Sequence, residues 1–201
     1  MLKRLSVSYL TSAPTFELCP EEGGPEIAFA GRSNAGKSSV LNRLTGDRNT
    51  AKVSKTPGRT QMLNFFDALP QGRIVDLPGY GFAKANRQAQ AVWQKAVNNY
   101  LSLRDTLGAL VLIMDIRHPF REYDLELLEW VNASELPHMI LLNKADKMKP
   151  NAGRQVLADA KREFPQSDAM MFSATKGTGN DQLIEWLLQQ LGEETRDLGS
   201  E

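Results

Sequence analysis

The stretch Gly31-Arg32-Ser33-Asn34-Ala35-Gly36-Lys37-Ser38 decides the fold of this chain. It fits the pattern G-x-x-x-x-G-K-[ST] of a phosphate-binding loop. The apolar run Ile27–Ala30 before it predicts a buried strand, and Ser39–Leu44 after it predicts the start of a helix. Glycines at both ends of the loop let the backbone curve, so that successive N–H groups point at a phosphate. We therefore predict a nucleotide-phosphate site here.

Two side chains complete this loop. Lys37 brings a positive charge to the β- and γ-phosphates, and Ser38 offers a hydroxyl to Mg²⁺. The N-terminus of the helix that follows adds its dipole. The alternative, a Gly/Ser-rich surface loop, is disfavoured by the strand and helix on either side.

Length and composition favour a single globular domain. The chain has 201 residues, of which 41% are hydrophobic and 24% charged, which suits one domain with a sizeable core. The single Cys19 excludes a disulfide framework and fits a reducing compartment. No apolar run approaches the roughly 20 residues of a membrane span, and MLKRLSVSYL lacks the features of a signal peptide. We expect a cytoplasmic monomer with no membrane anchor.

The net charge is zero, but the charges are unevenly distributed. Residues 43–104 hold ten Lys or Arg against three acids, whereas residues 181–201 hold six acids against Arg196 alone. This asymmetry indicates either a basic face in the middle of the fold, next to an acidic tail, or separately solvated charges. Both interpretations stay open on the sequence.

Hydrophobic periodicity predicts strands that alternate with helices. The turn Pro70-Gln71-Gly72 predicts an antiparallel hairpin between the second and third strands. Fully apolar strands elsewhere predict a six-stranded, mostly parallel sheet with one antiparallel strand and helices on both faces. The predicted strands are 25–30, 61–69, 73–77, 109–114, 138–142 and 169–172, and the predicted helices are 39–46, 84–103, 121–132, 153–164 and 181–191.

Three regions are predicted along the chain. Residues 1–24 form an N-terminal extension that packs loosely on the domain, 25–191 form the nucleotide-binding domain, and 192–201 form a flexible acidic tail. Within the domain, 47–60 lacks apolar periodicity and carries several basic residues. Long loops beside a nucleotide site are usually functional.

A second motif, Asp76-Leu77-Pro78-Gly79, closes the third strand. The Asp76 carboxylate can hold Mg²⁺ through water, and the Gly79 N–H can reach a γ-phosphate. Thr60, at the end of the 47–60 loop, can add a hydroxyl to the Mg²⁺ shell. Thr56 competes for this role, but Thr60 lies closer to the strand.

A third motif, Asn143-Lys144-Ala145-Asp146, follows the 138–142 strand. A carboxylate at Asp146 can accept from both N1–H and the exocyclic amine of guanine, two donors that adenine does not present there. Asn143 and Lys144 brace the loop and cover the base. Ser173-Ala174-Thr175, after the last strand, places backbone N–H groups near the guanine carbonyl.

These motifs, in this order, resemble the translation-factor-related GTPases and, more closely, the EngB (YihA/YsxC) family of bacterial GTP-binding proteins. The resemblance covers about Ser12 to Leu191, with Ala35 standing where many relatives have Val. It implies a three-layer, Ras-like P-loop GTPase fold, GTP hydrolysis, and a role in large ribosomal subunit assembly. The partners it implies are ribosomal particles, that is, the large subunit and its ribosomal RNA, and it also implies effects on cell division and septation. It rests on Gly31–Ser38 with Ser39, Thr56-Pro57-Gly58-Arg59-Thr60-Gln61, Asn64-Phe65-Phe66, and Asp76–Gly79 with Tyr80-Gly81.

The site assignments follow from the motifs and this resemblance. The catalytic candidates are Lys37, Thr60, Gly79 and Asn34, and the Mg²⁺ candidates are Ser38, Thr60 and, through water, Asp76. The residues assigned to nucleotide binding are Gly31, Arg32, Ser33, Asn34, Ala35, Gly36, Lys37, Ser38, Gly58, Arg59, Thr60, Gln61, Met62, Asp76, Leu77, Pro78, Gly79, Asn143, Lys144, Ala145, Asp146, Phe172, Ser173 and Ala174.

Tyr80 stands where Ras-like enzymes hold a water-orienting Gln. A phenol cannot present the carbonyl and amide that Gln uses, so slow intrinsic hydrolysis is expected. Asn34 is a candidate ligand for K⁺, as in several related GTPases, or it only caps the loop. GTP with Mg²⁺ is expected to order residues 47–60 and 80–90.

Two other functions compete with a ribosomal switch. A P-loop kinase or ATPase is disfavoured by Asp146, and a GTP switch acting on a protein of the division machinery is the remaining alternative.

Overall fold

A computed structural model describes residues 4–47, 62–68, 71–80 and 87–192, with the backbone alone for 87–93. Within these ranges, no helix combines the length and the apolar character needed to cross a membrane.

The described residues form one seven-stranded sheet with the order β1-β3-β4-β2-β5-β6-β7. β3 runs antiparallel to both of its neighbours, β1 and β4, and the other paired strands run parallel. The predicted α/β class with one antiparallel strand is confirmed, but the predicted number of six strands is wrong. The strands are β1 (Val7–Ala13), β2 (Glu26–Gly31), β3 (Leu63–Ala68), β4 (Arg73–Asp76), β5 (Leu107–Asp115), β6 (His138–Asn143) and β7 (Asp168–Met171).

The additional strand, β1, lies in the region predicted to be a loose extension. It pairs along its length with β3, from Val7 opposite Ala68 to Ala13 opposite Leu63. As an edge strand it has one partner, and Tyr9 and Leu10 remain exposed while Ala13 is buried. Such a strand needs little apolar alternation, which explains why the sequence pattern did not reveal it. Residues 7–13 are therefore part of the sheet.

Helices cover both faces of the sheet, as predicted. One core cluster packs β2 and β5 against α1 and α5, and a second packs the opposite face against α2, α3 and α4. This gives the expected three layers. The helices are α1 (Lys37–Thr45), α2 (Arg87–Leu103), α3 (Glu122–Ala133), α4 (Pro150–Glu163) and α5 (Asn180–Gln190).

Local signals explain two helix boundaries. α1 ends at Gly46, whose φ of 71° gives the left-handed cap that glycine adopts readily. α4 begins at Pro150, three residues before its predicted start, because proline is well suited to the first turn of a helix.

A buried ion-pair network lies at the start of β2, at the opposite end of that strand from Gly31. The Glu26 carboxylate is fully buried and accepts from Arg104 Nε at 3.0 Å, from Arg104 Nη2 at 2.7 Å and from the Tyr100 hydroxyl at 3.0 Å. Arg73 Nη1 approaches the same carboxylate at 3.5 Å. Tyr100 and Arg104 lie at the end of α2, so the network fixes that end of the helix to the sheet.

The same network bears on the predicted basic face. Arg73 and Arg104 belong to the basic stretch, yet both are directed at Glu26. Lys95 lies near Glu17, whose pKa is lowered by a backbone hydrogen bond first and, to a smaller extent, by the charge of Lys95. Thus Arg73, Lys95 and Arg104 do not form a common basic surface. Arg43, the fourth described member, is half-buried in α1, and the side chains of Arg48, Lys52, Lys55, Arg59, Lys84 and Arg87 lie outside the described residues.

Candidate functional site

The phosphate loop begins where the fully buried β2 ends, and α1 starts at Lys37. A Cβ at Gly31 would lie 2.6 Å from the Ile113 carbonyl oxygen, and one at Gly36 would collide with the Asn143 side-chain amide. Gly36 also has a φ of 100°. Only glycine fits both positions, and the predicted strand, loop and helix are confirmed.

Asn143, at the end of β6, and Lys144, directly after it, both donate hydrogen bonds to the phosphate loop. Asn143 is 2% exposed, and its Nδ2 donates to the Ala35 carbonyl oxygen at 2.9 Å. Lys144 Nζ donates to the Asn34 carbonyl oxygen at 2.5 Å. The predicted base-binding and phosphate-binding motifs are therefore joined directly.

Asp115, at the end of β5, fixes this arrangement and was absent from the predicted site. Its carboxylate pairs with Lys144 at 2.9 Å and with Arg117 Nη2 at 2.6 Å. Hydrogen bonds from Arg117 first, and then from Lys144, hold the pKa of Asp115 well below its usual range. The available signal was its position at the carboxyl end of a parallel strand, the edge where ligands bind in such sheets.

The predicted guanine-binding carboxylate is held by the loop after β7. Ser173 Oγ donates to Asp146 Oδ1 at 2.6 Å, and this bond is the main reason why the pKa of Asp146 is lowered. A group that must accept two hydrogen bonds from a base is thereby kept ionised.

Several backbone N–H groups of the loop after β7 already make hydrogen bonds within the protein. The Ser173 N–H donates to the Thr178 carbonyl at 3.1 Å, and the Ala174 N–H makes a long bond of 3.3 Å to Asn143 Oδ1. Phe172 is fully buried; its N–H donates to Leu142 and its carbonyl accepts from Ala145. Ser173 and Ala174, two of the three residues whose amides were predicted to face the guanine carbonyl, thus have N–H groups that are bonded within the protein.

Asp76 ends β4 opposite the phosphate loop and is 8% exposed. It forms an ion pair with Lys37. After it, Leu77 extends the pairing with β2 through an N–H bond to Phe29. Gly79 lies directly against the loop, with a Cβ position only 3.5 Å from both the Gly31 oxygen and the Ser33 nitrogen.

The donor set suits Mg²⁺. A Ser38 hydroxyl at the start of α1 and an Asp76 carboxylate at the end of β4 are hard oxygen ligands, of the kind Mg²⁺ prefers. Among the described residues, no group of three or more His, Cys, Asp or Glu could hold a metal. Mg²⁺ usually takes few protein ligands and depends on substrate phosphates.

Tyr80 connects the phosphate loop to α3. Its carbonyl accepts from the Ser33 N–H at 2.8 Å, and its backbone forms an isolated parallel β-bridge with Arg32. Its hydroxyl donates to Asp124 Oδ1 at 2.5 Å. Burial first, and then the neighbouring carboxylate, raise the pKa of Tyr80. The hydroxyl is thus committed to α3, which the sequence did not indicate.

Asp124 is 2% exposed and also caps α3 by accepting from the Arg121 N–H at 3.0 Å. Burial raises its pKa, while the Tyr80 bond and the charge of Arg32 act in the other direction. Arg32, predicted to contact nucleotide, therefore lies within electrostatic reach of Tyr80 and Asp124.

Part of the predicted site lies outside the described residues. This holds for Gly58, Arg59, Thr60, Gln61 and the competing Thr56, so their roles stay predictions. Met62 is described and half-buried, at the start of the chain leading into β3.

Comparison with known proteins identifies the family. A family model described as 50S ribosome-binding GTPase matches residues 26–144. The probable GTP-binding protein EngB of Tolumonas auensis is 48% identical over 187 residues, which cover 91% of this chain and 88% of that protein. The same protein from Pasteurella multocida is 50% identical, covering 87% of each chain. The chain belongs to the EngB family of GTP-binding proteins.

Solved structures show the same fold. A crystal structure of a probable EngB protein superposes with a TM-score of 0.66 at 22% identity, covering 84% of this chain and 99% of that one. Era in complex with a GTP analogue and a segment of 16S ribosomal RNA gives a TM-score of 0.66 at 22% identity, covering 89% of this chain and 60% of Era. Family membership makes the domain a GTPase, and P-loop GTPases generally use Mg²⁺.

Proposed function

We propose that this protein hydrolyses GTP to GDP and phosphate and acts as a nucleotide switch in large ribosomal subunit assembly, on which normal division and septation depend. The observation that carries the proposal is the joined site: Asn143 and Lys144 connect the phosphate loop to the loop that holds Asp146. The residues assigned to guanine and those assigned to phosphate would therefore bind the same nucleotide. The family model's description, 50S ribosome-binding GTPase, supports the ribosomal partner.

The chain's own residues have separate tasks in this reaction. Lys37 binds the β- and γ-phosphates and must exchange Asp76 for them, since the two side chains are paired. The Gly79 N–H would bind the γ-phosphate, and Ser38, Thr60 and Asp76 would hold Mg²⁺. That ion supplies positive charge shared between the β- and γ-phosphates.

Slow intrinsic hydrolysis is part of the proposal. The Tyr80 hydroxyl donates to Asp124, and its raised pKa keeps it protonated. It therefore cannot act as a base for the attacking water, nor can it present a carbonyl and an amide as Gln does. Faster hydrolysis of GTP therefore requires a group other than the Tyr80 side chain.

Asn34 is our candidate for that assistance, as a ligand for K⁺. Its φ of 68° places it at the bend of the loop, and its carbonyl is fixed by Lys144. Hydrolysis should be faster in KCl than in NaCl, and Asn34→Ala should abolish the difference. Equal rates in the two salts, with and without ribosomes, would remove this role.

A protein of the division machinery is the second candidate partner. The two are separated by sedimenting the protein with purified large-subunit particles in GDP or a non-hydrolysable GTP analogue. Co-migration in the GTP-like state supports the ribosomal switch. Absence of co-migration in both states would favour the protein partner.

The nucleotide assignment is tested in the same preparation. Asp146→Asn should abolish nucleotide-dependent co-migration, whereas the matched surface variant Asp159→Asn should not. Equal binding of GTP and ATP by the unmodified protein would contradict the guanine assignment.

A further inference from the structure

An apolar groove lies between α2 and α3, beneath the residues that follow Asp76. It encloses about 330 Å³ and is lined by Leu77, Tyr80, Leu101, Tyr123, Leu127 and Trp130, among others. This volume falls within the range of specific ligand-binding clefts. Tyr123 is 41% exposed at its edge, so the groove opens to the surface.

The groove is connected to the phosphate loop through one of its walls. Tyr80 lines it, while the Tyr80 carbonyl is bonded to Ser33 and its hydroxyl to Asp124 of α3. Leu77 and Pro78, from the motif that senses the γ-phosphate, line it as well. Any movement of this motif on nucleotide exchange must change the shape of the groove.

The rim of the groove is acidic. Glu126 is the one charged residue among the described lining residues. Glu122 and Glu129 lie four residues before it and three after it on α3, so all three share one helix face, and all are exposed. On the α2 side, the described lining residues Gln94, Asn98 and Ser102 are neutral. This surface repels phosphates and attracts cationic side chains.

We propose that this groove binds a Lys/Arg-rich segment of a protein partner, in a manner that depends on the bound nucleotide. An apolar side chain of the segment fills the cavity, and its basic residues pair with the acidic face of α3. A nucleic acid does not fit, because its phosphates would face Glu122, Glu126 and Glu129. The inference rests on the proposed function for the source of the partner, which is a basic protein of the large-subunit particle.

Charge reversal and filling of the groove test the proposal independently. Glu126→Lys removes the charge complementarity, and Ser102→Trp fills the mouth of the cavity. The matched control is Glu163→Lys, which makes the same charge change on the exposed end of α4, away from the groove. GDP affinity is measured for each variant to confirm an intact nucleotide site.

Both groove variants should co-sediment with large-subunit particles about tenfold more weakly than the unmodified protein in the GTP-like state. The Glu163→Lys variant should bind as the unmodified protein does. Binding of the groove variants at the control level would overturn the groove while leaving the ribosomal switch intact. Failure of the unmodified protein itself to co-sediment would overturn the proposed function and, with it, the partner assigned here.

Photo-cross-linking decides the chemical class of the occupant. Tyr123, whose aromatic ring already lies at the exposed edge of the groove, is replaced by p-benzoylphenylalanine, and the protein is irradiated with the particles in the GTP-like state and in GDP. Cross-links to a Lys/Arg-rich protein segment in the GTP-like state are expected. Cross-links to ribosomal RNA alone, to a protein segment without basic residues, or equally in both nucleotide states would each contradict the proposal.

Discussion

Asn143 should be the side chain whose loss damages both stability and nucleotide binding. It is almost completely buried; its Nδ2 donates to the Ala35 carbonyl at 2.9 Å, and its Oδ1 accepts from the Ala174 N–H at 3.3 Å. One amide thus joins the phosphate loop, β6 and the loop after β7. Asn143→Ala removes both bonds, whereas Asn143→Asp keeps the shape but replaces the donor with an acceptor.

The size of the effect follows from these contacts. The 2.9 Å bond to Ala35 contributes about 1 kcal/mol and the long 3.3 Å bond from Ala174 adds little, while leaving the Ala35 carbonyl unsatisfied costs about 1–3 kcal/mol more. Asn143→Ala should therefore destabilise the protein by about 2–4 kcal/mol. For a domain of this size each kcal/mol corresponds to about 2–4 °C in Tm, so the midpoint should fall by about 4–16 °C.

Asn143→Asp adds a pH dependence whose sign is fixed by the structure. Burial and the facing Ala35 carbonyl disfavour a charged carboxyl, so the pKa of the new group must be raised in the folded protein. The loss of stability is then smallest in acid, where the group is neutral and can donate, and it grows as the pH rises through the raised pKa.

Thermal unfolding measured at about pH 5 and about pH 8 tests this reasoning, alongside the release rate of a fluorescent GDP. Both variants should release GDP faster than the unmodified protein. An Asn143→Asp variant as stable as the unmodified protein at about pH 8, or a deficit that does not change with pH, would refute the argument.

Three further predictions concern other contacts. Asp146→Asn should weaken GDP binding by about 100-fold or more while leaving ATP binding unchanged, as measured by calorimetry; unchanged GDP affinity would contradict its assignment. Asp115→Asn removes the partner of Lys144 and should speed GDP release. Because the pKa of Asp115 is lowered in the fold, the Tm difference from the unmodified protein should be constant above about pH 4 and shrink in stronger acid. Glu26→Gln should cost about 3–5 kcal/mol in urea unfolding, because the buried Arg104 loses its close counter-charge and keeps Glu22 at 4.0 Å; a loss below about 1 kcal/mol would show that the pair is solvated.

The parts of the site that the sequence predicted are short and local. The phosphate loop needs glycine at Gly31 and Gly36 for reasons visible in the chain itself, and the structure bears these positions out. Asp76 and the 143–146 segment lie at strand ends, where the alternation of strands and helices placed them. These features are set by residues that are close together in the sequence, which is why they could be predicted from it.

The supporting residues could not be predicted in the same way. Asp115 meets Lys144 across 29 residues, and Tyr80 meets Asp124 across 44. Neither carboxylate belongs to a short motif, so only the packing of β5 against β6, and of the chain after β4 against α3, reveals them. β1 was missed for a related reason, since its partner β3 lies beyond the phosphate loop.

Charge counts could not decide between a basic face and separately solvated charges, for a different physical reason. Of the described members of the basic stretch, Arg73 and Arg104 converge on the buried carboxylate of Glu26. A sequence lists charges without their partners, so it cannot separate a cation that faces solvent from one that neutralises an internal acid.

The double attachment of Tyr80 has a consequence for timing. Tyr80 is bonded to the phosphate loop through its backbone and donates its hydroxyl proton to α3, so its side chain has no donor left to orient water. Replacing it with Gln to gain speed would detach the chain after β4 from α3. We therefore expect the lifetime of the GTP form to be set by a group from outside this chain that completes the site. Hydrolysis would then be slow after GTP binds and fast once the assembled complex has formed.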